Sequence, residues 1–282
     1  MRWGMWSTSH NAIPESGGHR GVKRTGCGIG LSVVIPVFNE SRRLPGTLAA
    51  VVDHLREVGG DWELVVSDDG STDDTYTVAA AVARDEPRVR LVRHPVNRGK
   101  GHAVRVGIAA TRGDRVLLCD ADLATPIDEL ARLQAALDAG FDAAIGSRGP
   151  AFAVARPPVR RVLSDVGSRL IRAVALPGTV DTQCGFKLFR GDRARAAFAR
   201  ASVDGWAFDI EVLRLFLAFG WSFVEVPVAW THQDGSKLRP GHCLEVLTDL
   251  ARVRLRHGPA PAAGRTPGAE PLRMPLPPGR AA

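Results

Sequence analysis

Two aspartates separated by one residue, Asp120 and Asp122, directly follow the apolar run 115–119. Two carboxylates at this spacing, just past a buried strand, offer the hard oxygen ligands that suit a divalent cation. In an open α/β sheet, the carboxyl ends of the strands face the crevice where ligands bind. A divalent ion there would screen a diphosphate and assist its departure as a leaving group. The alternative is that one aspartate caps the next helix while the other is solvated.

A second acidic turn, Asp68 and Asp69, follows another apolar run and leads into Gly70. The carboxylates can accept hydrogen bonds from a base imino group and a ribose, while the glycine permits a tight turn. Capping of the following helix explains 71–74 well. It does not explain two carboxylates at the end of a strand, so we predict a nucleoside site there.

The first predicted strand contains Pro36, which removes a ladder hydrogen bond and favours a turn towards a ligand. Glu40, just beyond, could accept a hydrogen bond from a ribose hydroxyl, or it could simply begin a helix. The glycine-rich segment 97–101 lacks the upstream glycine and the following Ser or Thr of a P-loop, which disfavours ATP hydrolysis. Lys100 within it either contacts a phosphate or is a solvated loop lysine.

Short apolar runs alternate with amphipathic segments in the first half of the chain. This alternation predicts βαβ units and a mostly parallel α/β sheet flanked by helices, as in Rossmann-like folds. The predicted strands are Leu31–Phe38, Trp62–Ser67, Val89–Arg93, Val116–Cys119 and Ala143–Ile145. The predicted helices lie near Leu44–Val58, Asp73–Arg84, Gly101–Thr111 and Ile127–Ala139.

The second half has a different pattern, with basic amphipathic segments and fewer apolar runs. Its predicted elements are a helix at Val159–Val174, a short segment at Phe186–Phe189, a helix near Phe208–Phe219, a strand at Ser222–Val228 and a helix near Leu244–Arg256. We predict one folded body, 31–257. The flanking segments 1–30 and 258–282 are rich in Gly, Ser, Pro or Ala without a period, and we predict that they are disordered.

The composition is that of an ordinary soluble globular protein, and its excess of basic residues suggests an anionic partner. Of 282 residues, 45% are apolar and 24% charged, and the net charge is +7 with an isoelectric point near 9.9. Such a balance favours a nucleotide, an anionic lipid surface or nucleic acid. Aromatic residues make up only 6% and do not alternate with basic runs, so we expect no nucleic-acid partner.

Neither the cysteines nor the apolar runs indicate secretion or a membrane span. The four cysteines lie far apart without metal-ligand spacing and are expected to be reduced. No apolar stretch approaches the roughly 20 residues that cross a bilayer, and residues 1–30 do not resemble a signal peptide. We therefore expect a cytoplasmic protein with, at most, peripheral contact at the cytoplasmic face of a membrane.

Several motifs occur in an order that resembles family 2 glycosyltransferases with a GT-A fold: Pro36–Glu40, Asp68–Ser71, Asn97–Gly101, Asp120–Asp122 and Gly146–Arg148. Later motifs resemble the polyprenyl-phosphate branch, most of all the dolichyl-phosphate β-glucosyltransferases: Asp181–Phe189, Trp206–Glu211 and Gly235–Leu238. The resemblance extends from about Leu31 to Arg256. The second-half motifs are the more specific.

The resemblance implies roles for particular residues. The nucleoside would be surrounded by Pro36, Phe38, Glu40, Ser67 and Asp69. The sugar nucleotide would contact Asp120 and Ala121, and Asp120 and Asp122 would form the metal site, with Asp122 holding Mg²⁺ or Mn²⁺ against the diphosphate. Phosphate groups of donor and acceptor would contact Arg148 and Lys237, and the acceptor phosphate would also contact Arg160 and Ser164.

Two positions separate this chain from many dolichyl-phosphate mannosyltransferases. Those enzymes have Gln where this chain has Ala124, and Arg where it has Thr231. Both differences match the glucosyl branch and favour UDP-glucose over GDP-mannose as the donor. A mannosyltransferase using GDP-mannose, a non-catalytic nucleotide- or lipid-binding module and a nucleotidyltransferase remain the alternatives.

The implied reaction needs cations more than a base. A phosphate monoester has a second pKa of about 6, so at neutral pH it is already a nucleophile. We expect in-line displacement with inversion, with two anions held together by the metal, Arg148, Lys237 and either Lys187 or Arg160. Asp209 and Glu211 are candidates for orienting sugar hydroxyls. The alternative is that both are acidic residues at a helix start.

A polyprenyl acceptor keeps its tail in the bilayer. The predicted helices 159–174 and 244–256 combine an apolar face with flanking arginines, a pattern typical of helices that lie in the interface of an anionic membrane. Each helix could instead pack its apolar face on the core. Together with the acceptor chemistry, the pattern predicts at least one membrane-facing helix.

Overall fold

The computed structural model describes residues 28–148, 181–182, 184–231, 233 and 242–257, and the elements below lie within them. The strands are β1 Leu31–Val37, β2 Trp62–Asp68, β3 Val89–Arg93, β4 Arg115–Leu118, β5 Ala143–Ser147, β6 Lys187–Arg190 and β7 Phe223–Pro227. The helices are α1 Leu44–Val58, α2 Thr75–Asp85, α3 Lys100–Ala109, α4 Leu130–Asp138, α5 Gly191–Arg200, α6 Phe208–Ala218 and α7 His242–His257. A 3₁₀ turn, Ile127–Glu129, precedes α4.

The described strands form one seven-stranded sheet in the order β3-β2-β1-β4-β6-β5-β7. The pairs β1–β2, β2–β3, β1–β4 and β5–β7 are parallel. Only β6 runs in the opposite direction, and it pairs antiparallel with both β4 and β5. The predicted mostly parallel α/β sheet is therefore confirmed.

The apolar runs of the strands are buried on both faces, as expected for a sheet covered by helices on either side. On one face, alternate residues such as Val33 and Leu117 pack with α1 and α4 in one hydrophobic cluster. On the other face, Val34 and Val116 pack with α3, α5, α6 and α7 in a second cluster. The sheet is thus the middle layer of three, with helices packed on both of its faces.

The predicted elements agree closely with the observed ones, with one omission. Helix α5 was not predicted: its buried positions include Ala194 and Ala197, and its many arginines weaken the apolar pattern. The predicted helix 159–174 lies outside the described residues, as do most of the predicted disordered segments 1–30 and 258–282. Among the helices that the structure describes, none is long and apolar enough to cross a membrane.

Candidate active site

Three strand ends bring the predicted acidic turns together. Strand β1 lies between β2 and β4 and runs parallel to both, so the turns that follow these strands emerge side by side. Val37 is in register with Asp68, and the amide of Asp69 donates to Val37 O at 2.9 Å. The turns at Asp69 and at Asp120 therefore flank the end of β1.

The turn 120–124 is fixed by contacts from distant elements. Thr47 on α1 donates its hydroxyl to Ala121 O at 2.6 Å in a buried position. The amide of Ala124 donates to Asp122 Oδ1 at 3.1 Å, and Leu123 takes a positive φ of 47°. The amide of Thr231, beyond β7, donates to Ala124 O at 2.8 Å. The two aspartates are thus held on a pre-shaped turn.

Lys100, the first residue of α3, is paired with the first aspartate of this turn. Its Nζ lies 2.7 Å from Asp120 Oδ1. Burial lowers the pKa of Lys100, but the charges of Asp120 and Asp209 outweigh it, and the net pKa lies above the ordinary value. Lys100 is therefore a charged component of the site, and its interpretation as a solvated loop lysine is wrong.

The backbone of Gly185 closes the other side of Asp120. A Cβ atom built at Gly185 would lie 1.8 Å from Asp120 Oδ2. Only a glycine allows the 184–186 turn to approach the carboxylate this closely. The sequence does not predict this close approach, although Gly185 lies within the Asp181–Phe189 motif.

A second ion pair, which unlike the first is buried, joins β6 to α6. Lys187 Nζ lies 2.6 Å from Asp209 Oδ1 and also donates to Cys184 O. Burial raises the pKa of Asp209 above its ordinary value, against the attraction of Lys187 and Lys100. Because the residue after Cys184, Gly185, lies against Asp120, the contacts of Lys187 connect Asp209 to the acidic turn.

Arg148, predicted to contact phosphate groups, forms a bidentate pair with Asp181. Its Nε and one terminal nitrogen lie 2.7 and 2.8 Å from the two carboxylate oxygens, and its amide also donates to Asp181. Although burial acts in the opposite direction, the hydrogen bonds and charge of Arg148 hold the pKa of Asp181 below its ordinary value. The partner role of Asp181 was not predicted.

The predicted nucleoside residues at the end of β2, Ser67 and Asp69, also form hydrogen bonds that stabilise the fold. Ser67 is fully buried and donates its hydroxyl to Ala103 O at 2.7 Å. Asp69 accepts hydrogen bonds from the amides of Arg98 and Gly99, the latter at 2.8 Å, so it fixes the loop that leads to α3. Gly70 takes a positive φ of 72° and passes so close to Val96 that a side chain would clash.

The predicted nucleoside residues on β1 lie at the same edge. Pro36 stays within the strand, in register with Ser67, and the chain turns only at Asn39, where φ is 52°. Phe38 and Glu40 are partly buried in this turn. Glu40 forms an ion pair with Arg43, with 3.3 Å between a carboxylate oxygen and a guanidinium nitrogen.

Other predicted residues lie elsewhere or outside the description. Glu211 is fully buried and accepts hydrogen bonds from the amides of Ser202 and Val203. It also lies 2.9 Å from His257 Nε2, so it joins α6 to the 201–205 loop and α7. The predicted phosphate ligands Arg160, Ser164 and Lys237 lie outside the described residues.

A sequence model described as glycosyl transferase family 2 matches residues 32–195, more than half of the chain. The chain belongs to glycosyltransferase family 2. The matched segment contains both acidic turns, Lys100, Arg148 and Lys187.

Curated relatives of this glycosyltransferase share one name. The dolichyl-phosphate β-glucosyltransferase of Homo sapiens is 36% identical over 244 residues, which cover 80% of this chain and 75% of that protein. The enzyme of the same name from Drosophila melanogaster is 38% identical over 247 residues, with the same coverage. A third, from Trichomonas vaginalis, is 35% identical over 237 residues, covering 80% and 73%.

Solved structures share the fold of this glycosyltransferase. Glucosyl-3-phosphoglycerate synthase from Mycobacterium tuberculosis, in complex with Mn²⁺, UDP-glucose and phosphoglyceric acid, has a TM-score of 0.59 at 24% identity, covering 80% of each chain. A mannosyltransferase from Pyrobaculum calidifontis, in complex with GDP-mannose and Mn²⁺, has a TM-score of 0.57 at 23% identity, covering 82% of this chain and 65% of that one. The predicted GT-A-like α/β fold is thereby confirmed.

The few carboxylates at the site of this glycosyltransferase suit a metal ion that takes its remaining ligands from the substrate. Within the described residues, no group of three or more His, Cys, Asp or Glu side chains is arranged to hold a metal ion. Mg²⁺ commonly binds one or two carboxylates and completes its shell with water and substrate phosphates. Asp122, with Asp120 beside it, fits this pattern.

Proposed function

We propose that the protein is a metal-dependent, inverting glycosyltransferase that moves glucose from UDP-glucose to a polyprenyl phosphate such as dolichyl phosphate. The product would be a β-linked lipid-phosphate glucose. The observation that carries the proposal is the Asp120–Asp122 turn beside Lys100, at the sheet edge where ligands bind in such folds. The shared name of the relatives supports the sugar and the acceptor.

Different residues would bind the nucleoside, the metal ion and the diphosphate of the sugar donor. The nucleoside is received between the ends of β1 and β2, where Phe38, Glu40 and Asp69 lie. Asp122 would hold Mg²⁺ or Mn²⁺, with Asp120 beside it. When bound, the ion neutralises the diphosphate and makes UDP a better leaving group. Lys100, charged and 21% exposed at its side chain, adds a fixed positive charge next to the same phosphates.

On the acceptor side, the site needs no general base, because a phosphate monoester is largely dianionic at neutral pH. The chain's task is to hold two anions in line despite their repulsion. Arg148 is oriented for this by its bidentate pair with Asp181. We assign Lys237, Arg160 and Ser164 to the same acceptor phosphate from the sequence. Asp209 is assigned to the hydroxyls of the transferred sugar.

For the lipid tail, we propose peripheral contact with an anionic membrane at its cytoplasmic face. Helix α7 supports this only in part: Leu250 and Val253 of its predicted apolar face pack into the core, whereas Leu255 is 85% exposed. Exposed Arg252 lies on the same helix. An exposed leucine between basic residues fits insertion at an anionic interface.

The test is transfer from a panel of labelled sugar nucleotides into organic-extractable lipid, using vesicles that contain polyprenyl phosphate. Metal-dependent label from UDP-glucose is the expected result. Label only from GDP-mannose would preserve the mechanism and overturn the donor. Absence of lipid label from every donor, with a folded protein that binds UDP, would overturn the proposed function.

A further inference from the structure

Lys187 stands at the edge of the sheet where the active site lies, although it begins a strand. Strand β6 runs against its neighbours, so its first residue pairs with the last residue of β4, Leu118, and with Ile145 of β5. The residue is 1% exposed. A lysine is rarely buried to this extent unless it is paired.

The ammonium group of Lys187 has two partners within the protein. Asp209 Oδ1, on the first turn of α6, lies at 2.6 Å, and Cys184 O lies at 2.5 Å. The side chains of Lys187 and Asp209 are 2% and 8% exposed. Lys187 therefore does not face the substrate phosphates, which was one of the roles considered from the sequence.

We propose that Lys187 is a positioning residue for the transfer reaction, because it holds the Asp209 carboxylate and the 184–185 turn in one fixed arrangement. The inference rests on the proposed function, in which Asp209 orients the sugar. Lys187 itself does not touch the substrate. It acts by fixing two elements that do line the site.

The first of these elements is α6. Asp209 is one of two acidic residues in the first turn of this helix, and the other, Glu211, is bound to the 201–205 loop. Asp209 is instead directed to Lys187. A carboxylate that accepts hydrogen bonds from a sugar must keep one rotamer, and a buried ion pair restricts it to one.

The second element is the 184–185 turn. Lys187 binds the carbonyl of Cys184, and the next residue, Gly185, lies against Asp120 with no room for a Cβ. A shift of this turn would therefore move Asp120 or open a gap beside it. The ammonium group of Lys187 thus connects the Asp209 carboxylate, proposed to bind the sugar, to the 184–185 turn beside Asp120.

The test is a double-mutant cycle on Lys187→Gln and Asp209→Asn, with kcat and KM for UDP-glucose as the readouts. If Lys187 acts through Asp209, each single variant lowers kcat/KM by about 10- to 100-fold, as loss of a supporting partner does in other sites. The double variant should then fall below Asp209→Asn by much less than the whole Lys187→Gln loss, because the part of that loss that passes through Asp209 has already occurred. Multiplication of the two losses in the double variant would overturn the inference.

Stability is measured on the same samples, since removing one partner of a buried pair can unfold a protein. The double variant replaces the ion pair by two neutral groups that can still form a hydrogen bond. If Lys187→Gln fails to fold, kcat/KM of the double variant is compared with that of Asp209→Asn, and a further loss of about 10-fold or more would overturn the inference. A Lys187→Gln variant with a lower melting temperature but unchanged kcat and KM would show a structural role only.

Arg112→Gln is the matched control. Arg112 pairs at 2.9 Å with the buried carboxylate of Glu63, near the start of β2 and so at the opposite edge of the sheet. It should change stability without changing kcat/KM. The wild-type protein distinguishes failure of the two proposals. If it transfers no glucose to polyprenyl phosphate, the proposed function is wrong. If it transfers glucose normally and the kcat/KM losses of the two single variants multiply in the double variant, only the role of Lys187 is wrong.

Discussion

Lys100 Nζ lies 2.7 Å from Asp120 Oδ1, so the first aspartate of the Asp-Ala-Asp turn is neutralised by a cation of the protein itself. The second aspartate, Asp122, accepts a hydrogen bond from the amide of Ala124 and is partly exposed. The two carboxylates are therefore not equivalent. We infer that Asp122 is the principal metal ligand and that Asp120 positions Lys100 beside the diphosphate.

Asp122→Asn should abolish metal-dependent transfer while leaving the fold intact. Loss of a charged metal ligand removes the electrostatic stabilisation of the leaving group, and we expect kcat to fall by about 100-fold or more. Initial rates across a series of Mn²⁺ concentrations would measure the effect. Asp128→Asn, at an aspartate whose side chain is 84% exposed, is the control and should leave the rates unchanged. Equal turnover in Asp122→Asn would remove this residue from the mechanism.

Lys100→Gln should weaken nucleotide binding, because the diphosphate loses a fixed positive charge. We expect the dissociation constant for UDP at fixed Mn²⁺ to rise about tenfold, the loss of one charge-assisted hydrogen bond. Calorimetric titration would measure it. Arg84→Gln, at an exposed arginine on α2, removes the same charge far from the turn and should have no effect. An unchanged dissociation constant in Lys100→Gln would contradict the assignment.

Gly185→Ala should impair donor binding through Asp120. The added Cβ would lie 1.8 Å from the carboxylate, so either the turn or Asp120 must move. We expect a rise in KM for UDP-glucose together with a lower melting temperature. Gly46→Ala on α1 is the matched control: a Cβ there meets nothing within 4 Å, so it should stabilise the protein by roughly 0.5 kcal/mol. Normal kinetics in Gly185→Ala would show that the close approach has no function.

Glu86 gives a prediction for stability against pH. Hydrogen bonds from Arg88, opposed by burial, and further bonds from Arg56 lower the pKa of Glu86 from 4.5 to about 2. Because the folded protein binds this proton less tightly than the unfolded chain, the group stabilises the fold above about pH 4.5. That contribution is lost as the pH falls towards about 2.

Thermal unfolding of Glu86→Gln across this pH range would check the prediction. The variant should melt below the wild type at neutral pH, and the gap should narrow as the solution is acidified towards pH 2. Asp85→Asn, at the exposed neighbouring carboxylate, should follow the wild type throughout. A gap of constant size at every pH would show that the loss in Glu86→Gln does not arise from the ion pairs.

The strands and helices that carry the site were predictable because apolar residues recur in the sequence with the spacing of strands and helices. The bounds predicted for α1 and for β3 are those observed. The acidic turns could be placed at the sheet edge because parallel strands end on the same side. The sequence does not reveal helix α5 because Phe198 is its one large apolar residue, and its other buried positions are Gly191, Ala194 and Ala197.

The pairings within the site could not be predicted, because they depend on distances between elements far apart in sequence. From the sequence alone, Lys100 is either a phosphate ligand or a solvated lysine, and only its position beside Asp120 shows that it belongs to the site. The sequence also allows Lys187 to bind substrate anions, but in the structure its ammonium group pairs with Asp209. Which cation meets which carboxylate is a property of the fold.

The central claim is inverting transfer of glucose to a lipid phosphate, and the product itself tests it most directly. The enzyme would be incubated with UDP-glucose, Mn²⁺ and polyprenyl phosphate in vesicles, and the anomeric configuration of the extracted lipid would be determined by NMR. The proposal predicts a single glucose joined through a β-phosphodiester to the polyprenyl chain. An α-linked product, or glucose recovered only in the aqueous phase, would contradict it.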